Sequence, residues 1–263
     1  MVAEVEIRSL GDLVDRVTPE TPDRVSGRRR DTGVYRGAAN ASAPLLTSLD
    51  RLGDARPHAK ADLEEHILRS YIRYSRPHVA TSNENDWEEL ISAQHHGVPT
   101  RLLDWTYSPL IAAFFATRAR PGLECARAVW RLDWQKVHRA FGFPQLALLV
   151  RDLEEKLPGD GHISPWQLFS DRESRPFACL VAPPSIDARI VAQAAAFTIC
   201  SDKWRSFDDF LEAHGLVDAL TKFVFSPETA SLIRDQLDLV GVDERRLFPD
   251  LDGVGAAIRR YYA

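Results

Sequence analysis

A chain of 263 residues that is 44% hydrophobic and 27% charged has the make-up of an ordinary globular protein, which excludes wholesale disorder and fibrous repeats. Its formal net charge of -5 speaks against general coating of duplex DNA, because neutralising phosphates takes a surplus of clustered Lys and Arg. No apolar run approaches the roughly 18 residues of a membrane span, and acids stand near the start where a secretory signal carries bases. The expectation is a cytoplasmic protein without a membrane partner.

Ser9 caps a short amphipathic helix carrying Leu10, Leu13, Val14 and Val17, and a polar stretch with three successive arginines, Arg28 to Arg30, follows. Val34-Tyr35-Arg36 reads as a strand ended by Gly37, and Pro44 to Leu49 as the start of an apolar helical segment. A longer helix begins near Ala61, with Leu63, Ile67, Tyr71 and Tyr74 on one stripe. Asp86 N-caps a helix in which Trp87, Leu90, Ile91 and Gln94 recur at i, i+3, i+4 and i+7, with Gly97 as its stop. That spacing puts the amide of Gln94 on an apolar face. Arg101 to Trp105 is short and extended, and Ser108-Pro109 has the form of an N-cap followed by proline at the first helical position, opening a buried helix to Thr117.

In the second half, Ala128 to Leu132 reads as a strand, Trp134 to Leu157 as mixed helix, and Phe177 to Val181 as a strand. Arg189 to Gln193 and Phe197 to Ile199 look like strand material around a small-residue kink. A helix near Phe207 to His214, a strand over Lys222 to Phe225, a helix opened by Ser226-Pro227 and a last helix bearing Val254, Ile258 and Tyr261 complete the chain. With no repeat and no dividing linker, one α+β domain over residues 1–263 is expected, with short mixed or antiparallel strands and flanking helices.

The phosphate-loop, G-x-G-x-x-G, G-x-S-x-G and H-E-x-x-H patterns do not occur. Cys125, Cys179 and Cys200 fall outside any C-x-x-C spacing and read as free thiols. The densest run of reactive side chains is Gln94 to Ser108. Its helix N-terminus and the hydroxyls of Thr106 and Ser108 suit an anion, although Ser108 serves equally as a plain helix cap. His95 and His96 point about 100° apart on a helix and cannot share a metal in the i, i+4 manner. Asp104, between Leu103 and Trp105, needs cationic or backbone donors to stay charged, and Arg36, Arg101 or Arg189 is the candidate partner. If that pair is buried, breaking it costs about 3–5 kcal/mol. Gly37 beside Arg36 leaves room for a ligand against the backbone while the guanidinium donates in a fork. Gln193, in an apolar setting, needs partners for its amide.

These segments resemble the FRG-domain family, named for a Phe/Tyr-Arg-Gly motif. Tyr35-Arg36-Gly37 matches that motif, and the run from Gln94 to Thr106, with Ser108-Pro109 and Ala112 to Ala116, is its most specific block. Arg189-Ile190 with Gln193 and Phe197 resembles a later motif of the family, and Phe248-Pro249-Asp250-Leu251-Asp252-Gly253 its closing one. The resemblance runs roughly from residue 10 onward, with Ala195 where the family pattern carries glycine.

More distantly, the order Arg36, then Thr106 and Ser108 before Ala112 to Ala116, then Gln193, is similar to ADP-ribosyltransferases of the Arg-Ser-Glu kind, with glutamine in place of glutamate. This resemblance implies an ADP-ribosyltransferase-like core and an enzyme that uses NAD as substrate without a metal. The same resemblance implies transfer of ADP-ribose to an acceptor macromolecule or to water, in the role of a bacterial toxin or anti-phage effector. Arg36, Asp104, Thr106, Ser108 and Gln193 are the implied catalytic set. Tyr35, Gly37, His95, His96, Arg101, Trp105 and Tyr107 complete the nucleotide site, Trp105 and Tyr107 forming its aromatic wall. Two alternatives stand beside it: a non-catalytic module that senses a nucleotide or docks a protein, and a metallohydrolase built from His95, His96 and Asp104.

Overall fold

A computed structural model describes residues 2–52, 60–78, 86–118, 124–156, 176–185, 187–202 and 204–262. The short apolar runs assemble into a sheet of seven strands among the described residues, in the order β1-β7-β4-β2-β3-β6-β5. These are β1 (Ala3–Glu6), β2 (Val34–Ala38), β3 (Leu103–Thr106), β4 (Arg127–Leu132), β5 (Ala178–Val181), β6 (Ala195–Cys200) and β7 (Leu220–Phe225). Only β1 and β7 pair in parallel; the other neighbours are antiparallel. Helices interleave with the strands, giving the α+β class that the sequence implies.

The two faces of the sheet are covered differently. One is closed by a continuous cluster in which Val34, Trp105, Trp130 and Leu180 pack on α5 (Trp134–Phe141) and α8 (Phe207–Ala213). On the other, Tyr35, Val129 and Phe223 pack on α1 (Leu10–Val17), α4 (Pro109–Thr117) and α9 (Pro227–Leu239). Phe197, Ile199 and Val181 of that same face pack on α2 (Lys60–Ser75), α3 (Asp86–His95) and α6 (Val150–Lys156). The cover therefore splits above β3, whose ladder with β2 holds a single pair, Tyr35 with Thr106.

Gly37 fixes one wall of that split. The strand does not end there but continues to Ala38. A Cβ on Gly37 would lie 2.1 Å from the carbonyl oxygen of Ala112 and 2.5 Å from the amide nitrogen of Ala116. The α4 side of Gly37 is thus filled by helix backbone, while Gly37 also lines the cleft over this part of the sheet. Ser108 accepts from the amide of Ile111 with Pro109 in the first turn, as the cap pattern predicts.

Two expectations, over Pro44 to Leu49 and Arg189 to Gln193, fail for identifiable reasons, and the mixed helix of Trp134 to Leu157 is resolved into its parts. Pro44 to Leu49 is irregular and leads into a 3₁₀ turn, Asp50–Leu52. Leu45 and Leu49 are buried, but their amides go to Asp208 and to the carbonyl of Thr100. Trp134 to Leu157 is two helices, α5 and α6, because Gly142 takes φ +77° after the first; Leu157 lies outside the described residues. Arg189 to Gln193 is no strand: Asp187 caps a single helical turn, α7 (Ala188–Ala192), and Gln193 is its C-cap. Asp86 is the first helical residue of α3. No helix among the described residues is long and apolar enough to cross a membrane.

His138 pins α5 to β5. Fully buried, it faces the Pro144 carbonyl at 2.7 Å through Nδ1 and accepts the Leu180 amide at 2.7 Å through Nε2. These bonds require the neutral Nδ1–H tautomer, and burial holds the imidazole below its ordinary pKa. The unfolded chain takes up a proton near pH 6.5 while the folded chain resists it. Stability is therefore lost as pH falls below about 6.5, by at most about 1.4 kcal/mol per pH unit, and levels off below the folded-state pKa. Urea titrations from pH 7.5 to 5 should show that slope in wild type and a flatter one in His138→Gln. Gly37→Ala should cost about 3 kcal/mol or more by the same measurement, since the obstructing atoms are backbone; a loss below 1 kcal/mol would show that α4 shifts freely.

Candidate functional site

The split in the helical cover opens into a cleft of roughly 820 Å³, inside the range of small-molecule sites. Residues 94–98 form one wall, Phe115 and Arg118 the other, and Asp104, Thr106, Ala195 and Phe197 lie between. Segments remote in sequence meet here: Arg36 from β2, Asp104 and Thr106 from β3, and Arg189 and Gln193 from α7 and its cap.

Charge distinguishes this cleft. Among the described residues its lining carries four arginines, Arg36, Arg51, Arg118 and Arg189, and one carboxylate, Asp104. The chain as a whole is net acidic, so the cations are concentrated. The Arg36 side chain is 17% exposed, and its Nη1 donates to the Asp104 carbonyl at 2.7 Å and lies 3.5 Å from the Asp104 carboxylate. Burial lowers the Arg36 pKa, Asp104 opposes that shift and the neighbouring Arg51 adds to it. Its remaining nitrogens have no protein acceptor among the described residues, so the guanidinium retains donors for a ligand.

Asp104 is held rather than hidden. Its carboxylate accepts from the Gln94 amide at 2.8 Å, while Gln94 itself accepts from Thr100 at 2.6 Å and Ser48 at 3.3 Å. With 53% of its side chain exposed, Asp104 presents a fixed charge to the cleft, and the expected buried pair is corrected. The buried arginine–carboxylate pair on β3's approach is Arg101 with Glu64, exposed only 8% and 1%, where Arg101 Nε donates at 2.6 Å. Arg101 lies outside the cleft.

Tyr35, Gly37 and Trp105 also line the cleft, although the side chains of Tyr35 and Trp105 have partners of their own. Tyr35 is buried and donates its hydroxyl to Asp31, which also receives Arg131. Trp105 packs on the opposite sheet face, its indole donating to Thr198 at 3.0 Å. Tyr107 is exposed and lines no part of the cleft, so the Trp105/Tyr107 aromatic wall is not formed; Phe115 and Phe197 stand there instead. Ser108 caps α4 and does not reach the cleft. Thr106 donates to the Gln193 carbonyl at 2.7 Å, and the Gln193 side chain donates to the Leu247 carbonyl at 3.0 Å. The left-handed residue after α7 is Ala194, at φ +44°, one position before the alanine that replaces the family's glycine.

His95 and His96 diverge as their adjacency dictates. His95 Nε2 lies 3.2 Å from Asp187, and burial lowers its pKa against the pull of that carboxylate. The His96 ring stacks on Tyr71, with centroids 6.3 Å apart. No group of three or more His, Cys, Asp or Glu able to hold a metal occurs among the described residues, so the His95, His96 and Asp104 arrangement of a metallohydrolase is not assembled.

The family model of the FRG domain matches residues 31–122. Over that span the chain is similar to the FRG domain. Its matched span holds Tyr35-Arg36-Gly37 and the whole run from Gln94 to Ser108. The segments around Arg189 and Phe248 lie beyond it, although the fold returns Arg189 to the cleft. No curated protein and no solved structure matches the chain.

Gln94, Arg51 and Arg118 were not among the residues the sequence nominates. Gln94 left a signal, a polar side chain in an apolar stripe; the arginines end elements or sit in loops, where a charge is unremarkable. Asp104→Asn should change folding stability by less than about 1 kcal/mol, as for an exposed pair. Glu64→Gln, which removes the carboxylate charge facing the buried Arg101 guanidinium, should cost about 3–5 kcal/mol. Chemical denaturation of both variants checks this, and equal losses would make Asp104 a structural residue.

Proposed function

We propose that the chain binds NAD or a closely related dinucleotide in the arginine-lined cleft and cleaves its nicotinamide–ribose bond, passing ADP-ribose to water or to an acceptor. The observation that carries this reading is the exposed Asp104 carboxylate, fixed by Gln94 and Arg36 in a cleft whose other charges are cationic. A phosphate-bearing ligand meets the arginines. A developing positive charge on its ribose meets the one carboxylate.

In the reaction, the ribose C1′–N bond breaks and its electron pair leaves with nicotinamide. The ribose becomes oxocarbenium-like, and a preorganised carboxylate lowers the energy of that state. Water or an acceptor hydroxyl then bonds to C1′ and yields its proton to Asp104, which returns it to solvent. Arg36 anchors a phosphoryl oxygen with its unengaged donors, and Gln94 holds the carboxylate in place. In this scheme the charge comes from Asp104, on the strand of Thr106, and not from the position of Gln193. The order of Arg36, Thr106 and Gln193 along the chain, similar to the ADP-ribosyltransferase pattern, supports the same reading.

A second reading is a sensing module that binds the nucleotide without turnover. It is favoured by the use of Thr106 and Gln193 in internal bonds, which leaves fewer groups for the ribose. Nicotinamide release from NAD by the purified chain, with and without lysate as a source of acceptor, separates the two. Turnover is expected, with Asp104→Asn lowering the rate on the order of 10²-fold. Arg36→Lys should weaken binding nearly as much as Arg36→Ala, about ten- to a hundredfold. Saturable NAD binding without release would support the sensing module, and the absence of both would overturn the dinucleotide site.

A further inference from the structure

Phe248 follows α10 (Glu244–Leu247) and is 8% exposed. Two guanidinium groups lie over its ring, Arg118 at 4.8 Å and Arg189 at 4.7 Å from the centroid. The ring quadrupole attracts each cation, yet two cations gathered on one ring also repel each other. Neither has an acidic partner among the described residues, and both line the same cleft as Arg36 and Arg51.

The platform beneath them is built with care. Gln193 donates to the carbonyl of Leu247 at 3.0 Å. A Cβ on Gly253 would lie 1.9 Å from the Phe248 carbonyl oxygen, so only glycine lets α11 (Leu251–Tyr262) close on this residue. Asp250 accepts the Gly253 amide at 2.7 Å and fixes the turn between them. The ring is thus held from two sides while its paired cations lack a counter-charge. An anion bound against either guanidinium supplies the missing counter-charge and uses its planar donors.

We infer that Arg118, Phe248 and Arg189 form a second anion subsite, and that the ligand of this cleft carries two linked phosphoryl groups, one at Arg36 and Arg51 and one at the stacked pair. This rests on the reading of the cleft as a dinucleotide site and assigns the second phosphoryl group to named residues at its rim. Two separate cationic stations in one cleft fit a pyrophosphate better than a monophosphate, which can satisfy only one of them.

Calorimetric titration of the full chain with inorganic phosphate, pyrophosphate, AMP, ADP, NAD and a short single-stranded oligonucleotide tests the assignment. Pyrophosphate, ADP and NAD should bind at least about tenfold more tightly than phosphate or AMP. Arg118→Gln and Arg189→Gln should each erase most of that advantage while leaving phosphate binding within about twofold. Arg36→Gln should weaken every probe. Arg118→Lys and Arg189→Lys, which keep the charge, should retain part of the advantage, and unchanged melting temperatures will show that the fold is intact. If folded rim variants bind ADP as wild type does while Arg36→Gln does not, the second subsite is overturned and the dinucleotide reading stands. Tighter, rim-dependent binding of the oligonucleotide than of NAD would assign the pair to a nucleic-acid backbone and overturn the pyrophosphate assignment. If wild type binds no probe, both inferences fall.

Discussion

The contact between Gly37 and the backbone of α4 sets the geometry on which the cleft depends. A helix normally rests on a sheet through its side chains, which hold the two backbones well apart. Here α4 comes down until the space for one Cβ is gone, and Ala112, Ala113 and Ala116 are the small residues that allow it. The helix is thereby tied to β2 and cannot also cover β3. With α3 packed over β6 and β5 through Trp87, Leu90 and Ile91, the uncovered ground lies above β3, between α4 and α3. Gly37 and the alanines of α4 therefore set the edge of the cleft.

That uncovered ground would be an ordinary surface groove if its charges were balanced. Four arginines against one carboxylate in a chain of net charge -5 is the reverse of what random placement gives, and low-dielectric walls lengthen the reach of such a field. Arg36 illustrates the cost. Its guanidinium has lost most of its water yet receives only a long contact from Asp104 and a backbone carbonyl. Gln94 draws Asp104 the other way. The cation stays undercompensated and the carboxylate stays exposed, an arrangement that favours a ligand bearing negative groups at one end and a developing positive centre at the other.

Local rules made much of this legible in the sequence. The Ser108-Pro109 cap, the stop at Gly97 and the i, i+3, i+4, i+7 stripe of α3 each rest on nearest-neighbour chemistry, and each appears in the structure. Reasoning from sequence failed where a residue's environment is tertiary. Arg189 to Gln193 is apolar enough for a strand, but Asp187 can cap a turn, and Gln193 ends it. Trp105 lines the cleft beside Asp104, yet strand alternation sends its indole into the opposite core. The flanking leucine and tryptophan suggested a buried Asp104; the opening above β3 exposes it. Arg51 and Arg118 belong to the cleft only because remote segments converge there.

Gln193 joins these levels most directly. A glutamine at the end of α7 can donate to the carbonyl of Leu247, whereas a glutamate there would set a carboxylate against that carbonyl. The amide therefore serves the stretch that carries Phe248, and through it the spacing of Arg118 and Arg189. Arg189-Ile190 with Gln193, and Phe248 to Gly253, lie some 60 residues apart in sequence and outside the matched span of the FRG domain. In space they act on one another: Arg189 covers the ring, Gln193 holds the residue before it, and Gly253 lets the last helix close behind it. In the proposed reading Gln193 takes a positioning role at the cationic rim, and the negative charge at the ribose falls to Asp104.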